Sequence, residues 1–388
     1  MRIHTWRSSE RDPARRGEAF GTFAAPHLHA ALAEYLAMFT AFGISEPRYR
    51  AVAERSLDAA AAWTPALAVE LEATARAASL APWQLMALNA RTEIMAMLQP
   101  VGPGECSTAV HVPSDGSRPR TMQTWDWHDT LSNDTVLRAF PGEDGTRVAT
   151  FTEFGQLAKI GVNTRGLGLH FNILHHGSDG GGAVPDGADP ATDTRTDPGL
   201  PVHLVARAIL DRASTVDEAV AIARELPVAA STVMTVVTRG TADSMPVAAS
   251  IEISPAGLAV LRAVPGRTLV HTNHFLDEAL AAGETSAYRS STKERYDFLI
   301  ANGELAAEPD DVDRVASFGT AVRAGSPGAD GETVGASPVC LSPRAEDPEH
   351  LRWETKLSVT IDVDAASLGY QAASPAEVSR DGWRTFDA

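Results

Sequence analysis

The sequence predicts a layered α+β protein built as one structural unit. Three observations carry that expectation. Helix-patterned and strand-patterned segments come in separate runs (helices, strands, two helices, strands, helices, strand), and segregated runs argue against an alternating parallel sheet. No internal repeat and no linker-like stretch divides the 388 residues into independent parts. The hydrophobic fraction of 44% suffices for a sizeable core.

In chain order, residues 1–25 are polar and read as irregular. Over 27–42 the residues Leu28, Leu32, Tyr35, Leu36 and Phe39 recur at helical spacing. A second helix is expected over 46–63. Pro65 suits the first turn of a third, running to 78, and Pro82 that of a fourth over 83–98. The chain ahead of Cys106 therefore reads as all helix.

Beyond Cys106 the pattern changes to short strands at 107–112, 121–127, 136–140, 146–153, 157–162 and 167–172. Turn signals such as Glu143-Asp144-Gly145 and Asn163-Thr164-Arg165-Gly166 part them, which predicts an antiparallel meander. The stretch 176–201, rich in Gly, Asp, Pro and Thr, is expected to be an inserted surface loop. Helices follow at 202–212 and 216–225, and strands at 232–238, 247–253, 258–263 and 268–271. Helices are expected again at 288–302 and 309–318, a Gly-rich loop at 324–337, and a last strand at 356–363.

Bulk chemistry narrows the function classes. The net charge is −17 and no phosphate-neutralising basic patch is visible, which argues against nucleic acid and anionic membrane as partners. Charged residues rather than an apolar core follow Met1, so no secretory signal is expected, and no apolar run is long enough to span a bilayer. Two cysteines in such a chain predict a reducing, cytoplasmic compartment. Cys340 is expected to be a small buried hydrophobe.

Cys106 sits where helix pattern gives way to strand pattern, presented by the turn Gly102-Pro103-Gly104-Glu105. A thiol whose own α-amine can act as base suits covalent catalysis. That amine titrates at about 7.7–8.0, close to working pH. It exists only if the Glu105–Cys106 bond is broken, which the sulfur can do by attacking the preceding carbonyl. From local composition, a structural cysteine at a strand start is the competing account. Asp126 stands between Trp125 and Trp127 in Gln123-Thr124-Trp125-Asp126-Trp127, where strand alternation sets it on the face opposite the two indoles. A carboxylate so placed needs hydrogen-bond partners, and can orient a nucleophile or grip a substrate amine. Asn273, in His271-Thr272-Asn273-His274, ends a strand with an amide suited to a developing oxyanion, where one donor is worth roughly 3 kcal/mol. The histidines lack companion ligands at metal-binding spacing, so no metal is expected.

Together these segments resemble one family: the acyl-coenzyme A:6-aminopenicillanic acid acyltransferase (isopenicillin N acyltransferase) family of self-processing cysteine enzymes. The carriers are Arg16-Gly17-Glu18-Ala19-Phe20-Gly21, Leu88-Asn89-Ala90-Arg91-Thr92-Glu93-Ile94, Glu105-Cys106-Ser107-Thr108 and Gln123-Thr124-Trp125-Asp126-Trp127. The segments Phe154–Gly161 and Gly168–Asn172, Glu252-Ile253-Ser254-Pro255 and His271-Thr272-Asn273-His274 complete the set in family order. The resemblance implies the Ntn-hydrolase αββα four-layer sandwich. It implies self-cleavage into a helical α chain, 1–105, and a catalytic β chain, 106–388, held as an α/β heterodimer with any further homo-oligomer left open. Cys106 would be the nucleophile, Asp126 the residue assisting processing, and Asn273 the oxyanion donor. Trp125, Trp127, Ser254 and His274 would contact substrate. Glu105 precedes the cysteine where the best-known fungal members have glycine, and Thr124 stands where they have asparagine.

The expected function is therefore that of an amidohydrolase or acyltransferase acting on a small N-acyl amide through a thioester, without a cofactor. Water or an acceptor amine would resolve the thioester, and an acyl thioester is an open donor. Three alternatives stand beside it: an aminopeptidase-like hydrolase of aminoacyl amines, an uncut binding protein, and a metal hydrolase using His170, His175, His271 and His274.

Overall fold

The computed structural model describes residues 1–96, 106–142, 144–181, 199–240, 244–285, 290–321, 337–343, 346–348 and 352–388. Glu105, most of the expected loop at 176–201 and nearly all of that at 324–337 lie outside the described residues.

Where the sequence reads as irregular, the chain opens on a strand, β1 (Arg2–Arg7). Its partner is β4, more than a hundred residues away and paired in parallel from Arg2↔Asp134 to Arg7↔Ala139. No local pattern reports such a pairing. Helix α1 (Pro13–Ala41) also starts earlier than expected. Asp12 caps it by accepting the Arg15 N–H at 2.8 Å, and the helix carries Pro26 on an exposed face. Helices α2 (Glu46–Trp63) and α3 (Pro65–Ala77) follow as expected, each with proline in its first turn. The fourth helix is two, α4 (Pro82–Asn89) and α5 (Arg91–Met95). Asn89 binds the turn ahead of β6 at the break: its amide donates to the Gly155 carbonyl at 2.7 Å, and its oxygen accepts the Leu157 N–H at 2.9 Å.

Behind Cys106 come β2 (Cys106–His111), β3 (Arg120–His128), β4 (Asp134–Pro141), β5 (Arg147–Glu153), β6 (Ile160–Asn163) and β7 (Leu167–Ile173). Helices α6 (Val202–Arg212) and α7 (Val216–Glu225) are as expected, the second closed by a Thr215/Glu218 capping box. Then follow β8 (Thr232–Thr238), β9 (Val247–Ser254), β10 (Gly257–Arg262), β11 (Thr268–His271), α8 (Glu278–Ala281), α9 (Thr292–Ala301) and α10 (Asp311–Thr320). β12 (Trp353–Asp362) is not the last strand, since β13 (Ser367–Gln371) and β14 (Arg384–Asp387) continue from it.

Two sheets result. One orders β1-β4-β5-β6-β7-β8-β9-β10, the other β11-β2-β3-β12-β13-β14. The meander is real from β4 to β10, but β2 and β3 leave it for the second sheet, a split invisible in strand spacing. β2 packs on β7, and β12 and β13 on β6, so the sheets stack face to face. Helices α6 and α7 cover the outer side of the larger sheet, joined there by the N-terminal helices through α4. Helices α9 and α10 cover the smaller one, against Ala109, Met122 and Val270. The order helix, sheet, sheet, helix is the expected αββα sandwich.

A buried charge cluster joins the N-terminal helices to the larger sheet. Glu70 of α3 is fully buried and meets Arg16 of α1 at 2.7 Å, Arg138 of β4 at 2.8 Å and Arg207 of α6 at 2.9 Å. Burial alone would push its carboxyl up, but the three guanidinium groups outweigh that and hold it well below the carboxylate range. Gly17 and Gly21 allow the approach that this demands: a Cβ at Gly17 would stand 2.2 Å from the Glu70 carbonyl oxygen.

Candidate active site

Cys106 is the first residue of β2 and lies opposite Trp125 on β3. Alternation then turns Cys106, Thr108, Gln123, Trp125 and Trp127 towards the other sheet, and Ser107, Thr124 and Asp126 towards the helices. The indoles of Trp125 and Trp127 stack accordingly, 6.5 Å apart at 16°. A narrow cleft at the thiol is lined by Cys106, Trp125, Asp126, Trp127, Lys159, Phe171, Ile173, Asn273 and Trp353. A neighbouring cleft shares Trp127, Ile173 and Trp353, and adds Arg91, His175 and Asp179.

Three polar side chains hold the main chain of Cys106. Asn273, just beyond β11, accepts the Cys106 N–H on Oδ1 at 2.7 Å, and its Nδ2 donates to the Ile173 carbonyl at 2.9 Å. Arg295 of α9, fully buried, donates to the Cys106 carbonyl at 2.7 Å, to Ser107 Oγ at 2.9 Å and to Asn273 Oδ1 at 3.0 Å. Asn172 of β7 donates to the Cys106 carbonyl at 3.0 Å, and its oxygen accepts from Thr108 and Gln123. Cys106 is thus clamped at its N–H and its C=O.

The electrostatics are unequal on the two sides of the sulfur. Burial first, and the Asp126 carboxylate second, push the Cys106 thiol up to about 11, with Lys159 and Arg295 opposing and the Asp126 N–H donating to the sulfur. Asp126 itself is 1% exposed. Across the cleft, Lys159 lies 4.3 Å from the centre of the Trp125 ring and 3.2 Å from Glu153. Burial pulls its ammonium down to about 8, against the pull of Glu153. Glu153 also takes Arg91 at 2.8 Å, Ser132 at 2.6 Å, and Tyr35. Burial raises the Glu153 carboxyl, but Arg91 and Lys159 outweigh it and hold it well below its ordinary range.

Of the residues expected at the site, Cys106, Asp126, Asn273, Trp125 and Trp127 come together around one cleft. Ser254 and His274 are not among its lining. The Ser254 hydroxyl accepts the Ala256 N–H in the turn between β9 and β10, and His274 packs on Tyr296 with Nδ1 2.9 Å from the Thr292 hydroxyl. Nor do the four histidines of the metal alternative gather: His170 Nδ1 is 3.0 Å from Gln123 and His271 Nε2 is 2.8 Å from Glu252. Among the described residues, only His4, His27 and Asp134 form a potential ligand group. Lys159, Asn172 and Arg91 lie inside segments that carry the family resemblance, which by itself implies no role for them. Arg295 had no signal beyond being an arginine in a helix pattern.

The profile of the family described as acyl-coenzyme A:6-aminopenicillanic acid acyl-transferase matches residues 191–305. That span contains Asn273 and Arg295, and leaves Cys106 and Asp126 outside it. No curated protein matches the chain. Among solved structures, a variant of conjugated bile acid hydrolase from Clostridium perfringens is similar at TM-score 0.45 and 10% identity, over 73% of this chain and 92% of that one. Penicillin V acylase from Agrobacterium tumefaciens is similar at TM-score 0.35 and 16% identity, over 69% of this chain and 83% of that one. No helix among the described residues is long and apolar enough to cross a membrane. By its own motifs and by the profile matched at 191–305, the chain is similar to the acyl-coenzyme A:6-aminopenicillanic acid acyl-transferase family.

Proposed function

We propose that the chain is a self-processing N-terminal-nucleophile cysteine enzyme, an amidohydrolase or acyltransferase of small N-acyl amides. The observation that carries this reading is the clamp on Cys106, whose N–H meets Asn273 Oδ1 at 2.7 Å while its side chain opens on a cleft. A structural cysteine needs no buried arginine and two asparagines on its main chain.

In processing, the Cys106 sulfur attacks the Glu105 carbonyl carbon and the C–N bond breaks as the nitrogen takes the thiol proton. Water then hydrolyses the thioester, leaving a Glu105 carboxylate and a free Cys106 amine. In turnover that amine takes the thiol proton, a task suited to a group of about 7.7–8.0 beside a thiol that burial otherwise keeps protonated. The thiolate attacks the substrate carbonyl, the leaving amine departs with the proton, and water or an acceptor amine resolves the acyl thioester. Asn273 Oδ1 aims the amine. Its Nδ2 carries two protons, one engaged by Ile173, so the other is available to the oxyanion. The Lys159 ammonium supports the thiolate, and Trp125 and Trp127 wall the acyl group.

The names of the neighbours supply the substrate classes to test: conjugated bile acids, penicillin V and other acyl amides, each with and without an acceptor amine, read by mass spectrometry. Turnover that needs Cys106 supports the reading. Turnover that survives Cys106→Ala contradicts it.

A further inference from the structure

At the outer edge of the larger sheet, β1 lies in parallel register on β4 with Arg2 opposite Asp134. His4, two residues on, shares a face with Arg2 and Trp6, and α1 crosses that face. Phe20 of α1 meets Trp6 with ring centres 5.1 Å apart. Two helical turns later, at the i,i+7 position, His27 meets His4 at 4.3 Å. The same packing register that closes the apolar contact therefore brings two imidazoles over the Asp134 carboxylate. Their three donor atoms lie within 4.8 Å of one another, all on half-buried residues.

We infer that His4, His27 and Asp134 form a site for a divalent transition-metal ion. Two imidazoles and one carboxylate suit zinc and its neighbours rather than calcium or magnesium. Tetrahedral ligation at about 2.1 Å sets donor atoms roughly 3.4 Å apart. His4 Nε2 and Asp134 Oδ1, now 2.7 Å apart, open slightly, and His27, whose donor lies within 4.8 Å of both, closes to that spacing. The ring of His27 is already held, stacked on Phe154 at 4.4 Å and 12°. The Asp134 side chain remains 43% exposed, leaving room for a water as fourth ligand. Arg2, 3.9 Å from the same carboxylate and 76% exposed at its side chain, swings aside when the ion enters.

His4 and His27 lie ahead of Cys106 and Asp134 behind it. On the cleavage proposed above, a bound ion would tie the two chains together. The metal site itself does not depend on that cleavage.

The test uses full-length protein stripped with chelator, then titrated with Zn²⁺ by calorimetry and with Co²⁺ by visible absorption. One Zn²⁺ per chain is expected, with Co²⁺ bands free of thiolate charge transfer. Asp134→Asn, which keeps an acceptor for His4, and His27→Ala each weaken binding at least about tenfold. Cys106→Ala leaves it unchanged, and Arg2→Gln tightens it. Zn²⁺ raises the melting temperature of the wild type but not of His27→Ala. Absence of uptake, a thiolate band, or equal uptake by the His4→Ala/His27→Ala double variant would each overturn the site. Loss of uptake with cleavage intact sinks this inference alone, and uptake by an uncut chain sinks only the tie.

Discussion

Glu70 and Glu153 sit at the centres of two buried charge clusters, and each joins side chains from ahead of Cys106 to side chains behind it. Around Glu70, Arg16 meets Arg138 and Arg207; around Glu153, Tyr35 and Arg91 meet Ser132 and Lys159. Cations exceed the central carboxylate in both. In the first the excess is absorbed: Arg16 also donates to the carbonyls of Glu10, Arg11 and Pro141, and Arg207 pairs with Asp211. In the second, Arg91 lies 4.0 Å over Trp127 and Lys159 faces the thiol cleft. Similar chemistry thus makes a fastener where it closes on itself and a source of positive potential where it opens on a cleft.

Breaking the fastener has the largest expected effect on stability. Glu70→Gln leaves three buried guanidinium groups around a neutral amide and lowers stability by about 3–5 kcal/mol, read from the urea midpoint. Because the Glu70 carboxyl is depressed in the fold, its contribution is complete above the unfolded value of about 4.3 and lost as pH falls below it. The variant's acid limb flattens accordingly. Lys159→Gln strikes the other cluster. It lowers kcat/KM about a hundredfold and moves stability less, since Glu153 keeps Arg91, Ser132 and Tyr35.

Two smaller effects sharpen the contrast. Glu93, two residues after Arg91 in α5, caps α6 by accepting the Val202 N–H at 2.8 Å. Burial raises its carboxyl to about 7. A raised acid favours the fold below about pH 4.3 and loses that benefit as pH rises through about 7. Glu93→Gln should therefore match the wild type near about pH 4 and exceed it on the order of 2 kcal/mol near about pH 8, measured by denaturation at both. Ser254→Ala, away from the thiol cleft, should keep kcat/KM within about twofold and stability within about 0.5 kcal/mol.

Periodicity carries information about elements that pack through one face, and those were legible: α2, α3, α6, α7 and most strands of the larger sheet. It is silent on long-range partnership. β1 is a strand because β4 accepts it, and β2 and β3 leave the meander because β12 pairs with β3. At the site, residues with unusual local surroundings stood out, namely Cys106 at the seam, Asp126 between tryptophans and Asn273 after a strand. Arg295 and Lys159 look like ordinary surface cations in sequence. Only tertiary burial, to 0% and 1% exposed, turns them into site residues. Ser254 and His274 differ the other way: expected at the substrate, they lie outside the lining of the thiol cleft and make other hydrogen bonds.

The account rests on what happens at the bond before Cys106, and the intact mass of freshly purified protein tests it most directly. Two chains are expected, 1–105 and 106–388, whose masses sum to that of the precursor plus one water, with Cys106→Ala remaining a single chain. A wild type that turns over its amide substrate while still one polypeptide, or a Cys106→Ala protein that is cut at the same bond, would contradict it.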